Sequence, residues 1–140
     1  ASLNLSHQKI APFLSPTGGG VIYVEPIAKA LLTNTSLKKL RLSRNHLTCQ
    51  DVTCLISSLT INRTLRVLDL NSNELGDCGA RLIAAKLSQW QGLREVYLLK
   101  NNMWSETSMA FLICLQKSNR TLHILEHRPC QYQAQLRYEL

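Results

Sequence analysis

One pattern of leucines recurs along this chain at a fixed interval, and it constrains the fold more than any other feature. Leu37-Lys-Lys-Leu40-Arg-Leu42-Ser-Arg-Asn45-His-Leu47 is one copy. Leu65-Arg-Val-Leu68-Asp-Leu70-Asn-Ser-Asn73-Glu-Leu75 is the next, and Leu93-Arg-Glu-Val96-Tyr-Leu98-Leu-Lys-Asn101-Asn-Met103 the third. The copies start at 37, 65 and 93, 28 residues apart each time. A degenerate fourth starts at Leu122, 29 further on, with Leu125, His127, Cys130 and Tyr132 in the matching places. A fragmentary copy precedes them all, with Leu3, Leu5, Gln8 and Ile10 matching Leu40, Leu42, Asn45 and Leu47. A period of this length means that each copy is one small unit, which buries its apolar side against the next copy.

Each unit has two halves of different periodicity. The leucines of the motif alternate with other residues, as in a short strand. Downstream, Val52, Leu55 and Leu59 align with Ala80, Ile83 and Leu87 and with Ser108, Phe111 and Leu115, while Val24, Ile27 and Leu31 serve the first copy. Steps of three and four place such residues on one stripe of a helix. The phase predicts parallel strands near 39–43, 67–71 and 95–98, with helices near 51–60, 78–89 and 106–117. Leucine makes up 26 of the 140 residues, against 2 Phe and 2 Trp, as expected of a core built by repetition.

The pattern LxxLxLxxNxL resembles the leucine-rich repeat, specifically the 28/29-residue subtype of ribonuclease inhibitor. The likeness extends over about residues 3–132. It implies an α/β, right-handed solenoid, a horseshoe segment with parallel strands on the concave face and helices on the convex face. It also implies a structural asparagine ladder at Asn45, Asn73, Asn101 and Cys130, whose side chains point inward and satisfy the backbone of the turn after each strand. A tight inward turn buries N–H and C=O groups that need partners, and an asparagine supplies both a donor and an acceptor. The chain is thus expected to be a single domain of four to five repeats. These are an irregular 3–36 with a loop insertion at 11–20, then 37–64, 65–92, 93–121, and a partial repeat or cap at 122–140. The insertion carries Pro12, Pro16 and three glycines, which continue neither strand nor helix. The chain begins without Met and inside a repeat, so a piece of a longer array is expected, with flanking repeats or end-to-end association at its edges.

Asn34-Thr-Ser, Asn62-Arg-Thr and Asn119-Arg-Thr have the form of glycosylation sites. Each precedes a first leucine by three residues, so repeat grammar accounts for them; asparagine there suits a helix C-terminal turn with left-handed geometry. Five cysteines, with no CxxC, point to reduced thiols and a cytoplasmic protein. Cys114, in the third helical half, is expected to be a small core filler. No apolar run approaches the ~18 residues of a membrane helix.

In each strand the residues flanking the inward leucines face the concave side. The resulting partner-binding candidates are Lys39, Arg41, Val67, Asp69, Glu95, Tyr97, Leu99, Ile124 and Glu126, with Tyr97, Leu99 and Val67 as a small apolar anchor. A second column, Lys38, Arg66, Arg94 and His123, joins Lys39, Arg41 and Arg44 as a candidate anion-binding rim. The net charge of +7 invites acidic partners. His46 reads as an exposed turn residue and His127 as a buried one. No spacing supports a catalytic triad, a metal site or a cofactor, so the chain is expected not to be an enzyme. Three functions stay open. One is a protein-interaction module or scaffold, of the kind the resemblance extends to in nucleotide-binding immune receptors and tropomodulin-like proteins. The second is a binder of nucleic acid or an anionic surface, whose affinity would fall steeply with salt. The third is a regulator of a small GTPase.

Overall fold

A computed structural model describes residues 1–7, 21–103 and 124–126, with side chains for 1–7 and 24–103. In chain order the elements are β1 (Ser2–Asn4), α1 (Val21–Thr33), β2 (Lys39–Arg41), α2 (Cys49–Ile61), β3 (Val67–Asp69), α3 (Gly76–Lys86) with a 3₁₀ turn at Leu87–Gln89, β4 (Glu95–Tyr97) and β5 (Ile124–Glu126). The strands form one sheet in the order β1-β2-β3-β4-β5, and every pair is parallel. Register steps by one repeat at a time, so Leu3, Leu40, Leu68, Val96 and Leu125 form one row. The insertion at 11–20, the helix expected at 106–117, Cys114, His123, His127, Cys130 and the partial repeat beyond the last strand lie outside the described residues.

The alternation of the motif decides which way each strand residue points. Leu40, Leu68 and Val96 are fully buried, as are Leu42, Leu70 and Leu98 one step on. They meet a helical stripe from every repeat: Val24, Ala28 and Leu31 in α1, Val52, Leu55 and Leu59 in α2, Ala80 and Ile83 in α3. The result is one continuous core between a sheet and a row of helices, α1 against α2 and α2 against α3. The strands are shorter than expected because the chain leaves extended geometry just past the second leucine. Arg44, Ser72 and Lys100 take φ of 58°, 54° and 57°, at matching places in three repeats. Parallel bonding nonetheless runs on into the turn, from Leu42 N to Asp69 O and from Arg44 N to Asn71 O. Helix α2 starts earlier than expected. Its N-terminus is fixed where the Thr48 N–H and hydroxyl both donate to Asp51 Oδ2, at 2.6 and 2.8 Å.

The inward asparagines carry the turns. Asn73 Nδ2 donates to Leu42 O and Leu70 O, while its Oδ1 accepts from the N–H groups of Asn45 and Leu47. Asn101 Nδ2 repeats the pattern with Leu70 O and Leu98 O, and Asn45 Nδ2 reaches Leu5 O. A second series runs along the helix C-termini. Asn62 Oδ1 accepts from the N–H groups of Thr64 and Leu65, and Asn34 Oδ1 from those of Ser36 and Leu37. The expected left-handed geometry is absent at Asn62, which is extended at φ −68° and ψ 123°. The asparagine is there because its side chain caps the turn that follows, as in an Asx turn. Asn62 is 7% exposed and its Nδ2 is engaged by Leu31 O and Asn34 O, so a glycan has no access to that nitrogen.

One expectation about cysteine is overturned. Cys49 and Cys78 form a disulfide, with Cα atoms 5.8 Å apart. Cys49 opens α2 and Cys78 lies in the first turn of α3, so stacking brings the two helix starts side by side. Their sequence separation of 29 is one repeat plus one residue. Cys54 is the free cysteine among the described residues. The argument from reduced thiols to a cytoplasmic location therefore does not hold. No helix among the described residues is long and apolar enough to cross a membrane.

Candidate interaction face

The sheet displays the residues between the buried leucines in two rows. Ser2, Lys39, Val67, Glu95 and Ile124 share one, and Asn4, Arg41, Asp69, Tyr97 and Glu126 the other. Neighbours within a row are about 4.8 Å apart, set by strand spacing. A shallow hollow of about 290 Å³ opens at the middle of this face, lined by Lys39, Arg41, Val67, Asp69, Asn71, Glu95 and Tyr97. Six of these seven are positions the repeat phase marks for a partner, and the sheet brings them together from β2, β3 and β4.

The lining residues are not equivalent. Lys39 and Arg41 are exposed, and neither makes an ion pair or a side-chain hydrogen bond to a described residue. Asp69 is half-buried and its Oδ1 accepts from the Asn71 N–H at 3.0 Å. Glu95 accepts from the Tyr97 hydroxyl at 2.9 Å. Val67 is only 7% exposed, so it is the floor of the hollow rather than a projecting anchor. Tyr97 and Leu99 are half-buried. Asn71, which the repeat phase also turns to the concave side two residues after Asp69, lines the hollow too: its Oδ1 accepts from the Leu99 N–H at 2.7 Å and fixes the lip. Ile124 and Glu126 lie in β5 beside Glu95 and Tyr97, and their side chains are outside the described residues.

The basic rim does not form as one surface. Lys38, Arg66 and Arg94 stack at the entry to the strands, where the N–H of Arg66 donates to Lys38 O and that of Arg94 to Arg66 O. Arg44 lies past the exit of β2, at the other end of the sheet. Arg66 Nη1 is also committed, to Arg63 O at 2.8 Å and Gly92 O at 2.5 Å. His46 is exposed in its turn at φ 55°, with Nδ1 2.6 Å from Glu74 Oε1 of the next repeat. Among the described residues no group of His, Cys, Asp or Glu converges to hold a metal ion.

Residues 33–55 and 62–84 match the family pattern described as Leucine Rich repeat. Among solved structures, the chain is similar to the actin-binding site 2 region of leiomodin-1, with a TM-score of 0.76 and 21% identity. The match covers 89% of this chain and 68% of that one. It is also similar to the C-terminal domain of tropomodulin from Caenorhabditis elegans, with a TM-score of 0.69 and 16% identity over 95% of this chain and 74% of that one. At these identities the likeness concerns the fold.

Proposed function

The chain is a leucine-rich-repeat protein, and from that premise we propose that it is a non-catalytic interaction module receiving a protein partner on its strand face. The observation that carries this reading is the hollow between β2, β3 and β4. There two uncommitted cations, a half-buried tyrosine and an apolar floor are held by a sheet whose register repeats from strand to strand. Side chains on such a sheet need little reordering to bind, which lowers the entropic cost of association. The anion-binding alternative has less support, since Arg66 is spent on backbone carbonyls and Arg44 is remote from the Lys38 column.

Actin is the first partner to test, because the leiomodin-1 region with the same fold is named for binding it. Cosedimentation or titration should compare the parent chain with Tyr97→Ala, Arg41→Glu and a helix-side control, Gln89→Ala. Tyr97→Ala is expected to weaken binding by more than about 2 kcal/mol, as aromatic residues near a patch centre do. Arg41→Glu is expected to slow association more than it speeds dissociation, as exposed charges that steer encounter do. Loss of binding with Gln89→Ala alone would move the interface to the helices and sink the strand-face reading.

A further inference from the structure

We infer that the strand-entry end of the repeat stack is a second contact surface, which lays the chain on an anionic lipid membrane. Its cations meet the headgroups, and two aliphatic side chains enter the interface. This goes beyond the strand-face reading and does not depend on it.

Each helix hands over to the next strand at this end, through residues 32–38, 60–66 and 88–94. The three junctions hold Lys38, Arg63, Arg66 and Arg94 and no Asp or Glu. In the sequence the matching junction at 117–123, outside the described residues, adds Lys117 and Arg120 and again no acid. The positive charge is therefore not offset locally, unlike that of the strand face, where Asp69 and Glu95 stand beside Lys39 and Arg41. The ion pairs among the described residues, Lys29–Glu25 and His46–Glu74, leave all four cations out. Lys38, Arg66 and Arg94 stack in one column at strand spacing, about 4.8 Å. Arg66 is pinned to the carbonyls of Arg63 and Gly92, and Arg63 Nη1 donates to Gln91 Oε1 of the next repeat. These acceptors are neutral, so they fix the two guanidinium groups and leave the charge intact. The headgroup contacts fall to Lys38, Arg63 and Arg94, which are exposed.

Three large apolar side chains are exposed among the described residues. Two of them, Leu32 at 43% and Ile61 at 60%, lie in the last turns of α1 and α2, at this same end. Aliphatic groups beside uncancelled cations suit an anionic bilayer, which offers negative charge at its surface and hydrocarbon just beneath. Nucleic acid fits less well. A single strand needs exposed aromatic faces, and the one aromatic residue of the three junctions, Trp90, is 1% exposed. A duplex would set Leu32 and Ile61 against phosphates. An extended peptide finds no strand to pair with, since the N–H groups of Ser36, Leu37, Thr64 and Leu65 are taken by Asn34 and Asn62.

The test is cosedimentation of the intact chain with vesicles of phosphatidylserine and phosphatidylcholine in equal parts, and with vesicles of phosphatidylcholine alone. Binding is expected to the first and not to the second, and it should weaken as salt rises. Arg63→Glu/Arg94→Glu should lower the affinity at least ~10-fold. Lys39→Glu/Arg41→Glu changes the net charge by the same amount on the strand face and should have a much smaller effect. Ile61→Ser should weaken binding at constant charge; an unchanged affinity would overturn the insertion of the aliphatic pair. All these side chains are exposed, so circular dichroism should show every variant folded. Equal losses from the two charge-reversed pairs would mean that net charge alone draws the chain to the vesicles, and would overturn the assignment to this end. Absence of binding to the phosphatidylserine vesicles would overturn it as well. A polyglutamate peptide bound in their place, and lost only with Arg63→Glu/Arg94→Glu, would give the surface to an acidic protein segment. None of these outcomes touches the strand-face reading, which the actin titration tests separately.

Discussion

The asparagine of each motif is the residue on which the turn geometry depends, and the copies are not equal. Asn73 serves five backbone groups, three carbonyls and two N–H groups drawn from its own repeat and the one before. Asn45 donates to Leu5 O, and its Oδ1 has no partner among the described residues. Asn73→Leu keeps the volume and removes the bonds, at roughly 1–3 kcal/mol for each buried group left unpaired. Its urea midpoint should therefore fall, and fall further than that of Asn45→Leu; equal midpoints would contradict the inequality. Cys54 supplies a second test. Burial pushes its thiol above the ordinary range, and the nearby carboxylates of Glu25 and Asp51 push the same way. A raised pKa means less thiolate at any given pH. Alkylation of Cys54, followed by site-resolved mass spectrometry, should be slow at neutral pH and rise only through a pH above that of an unfolded cysteine peptide. The asparagines could be read from the sequence because they recur in phase with the leucines. The commitment of Arg66 could not, because its acceptors are the carbonyls of Arg63 and Gly92, and only the folded backbone brings Gly92 near.

At the scale of elements, two close approaches hold neighbouring repeats together. The Cys49–Cys78 bond joins the first turns of α2 and α3. Closing a loop with a sequence separation of 29 restricts the unfolded chain by about 3–4 kcal/mol in the chain-entropy account. Reduction, or Cys78→Ala, should lower the denaturation midpoint accordingly and leave the far-ultraviolet spectrum of the folded state unchanged. The second approach is at Gly92, which is buried where one repeat return passes under the previous one. A Cβ there would sit 3.0 Å from Arg63 C and 3.0 Å from Asn62 O, both backbone atoms that cannot swing aside. Gly92→Ala should cost roughly 1–3 kcal/mol by overpacking, seen as a lower thermal midpoint. Element type and order were legible because helix and strand periodicities alternate cleanly. The disulfide was not read, because counting cysteines and looking for CxxC ignores the repeat. A spacing of one period plus one residue was the signal that places two thiols on adjacent units.

On the scale of the whole molecule the repeat makes stability a matter of neighbours. A strand with partners on both sides has its row leucine sealed: Leu40 and Leu68 are fully buried. At the end of the sheet, β1 is bonded on one side, and Leu3, in the same row, is 39% exposed. The same gradient governs what can be read of the binding face. Its rows follow from the motif phase, so the lining of the hollow was legible, while the bonds that Asp69 accepts from the Asn71 N–H and Glu95 from the Tyr97 hydroxyl depend on turn and rotamer. In a stacked array local opening starts where a unit lacks a neighbour and proceeds inward, since each unit is stabilised by its own contacts and one interface on each side. Hydrogen exchange followed by mass spectrometry should accordingly show the amides of β3, Val67–Asp69, protected longest and those of β1, Ser2–Asn4, exchanging first, with β2 between them. Rigid β2 and β3 with a mobile β1 would also leave the Lys39, Arg41 and Val67 side of the hollow preformed. If β2 exchanged as fast as β1, the cations would have to be ordered on binding, and the advantage of a fixed sheet would be lost.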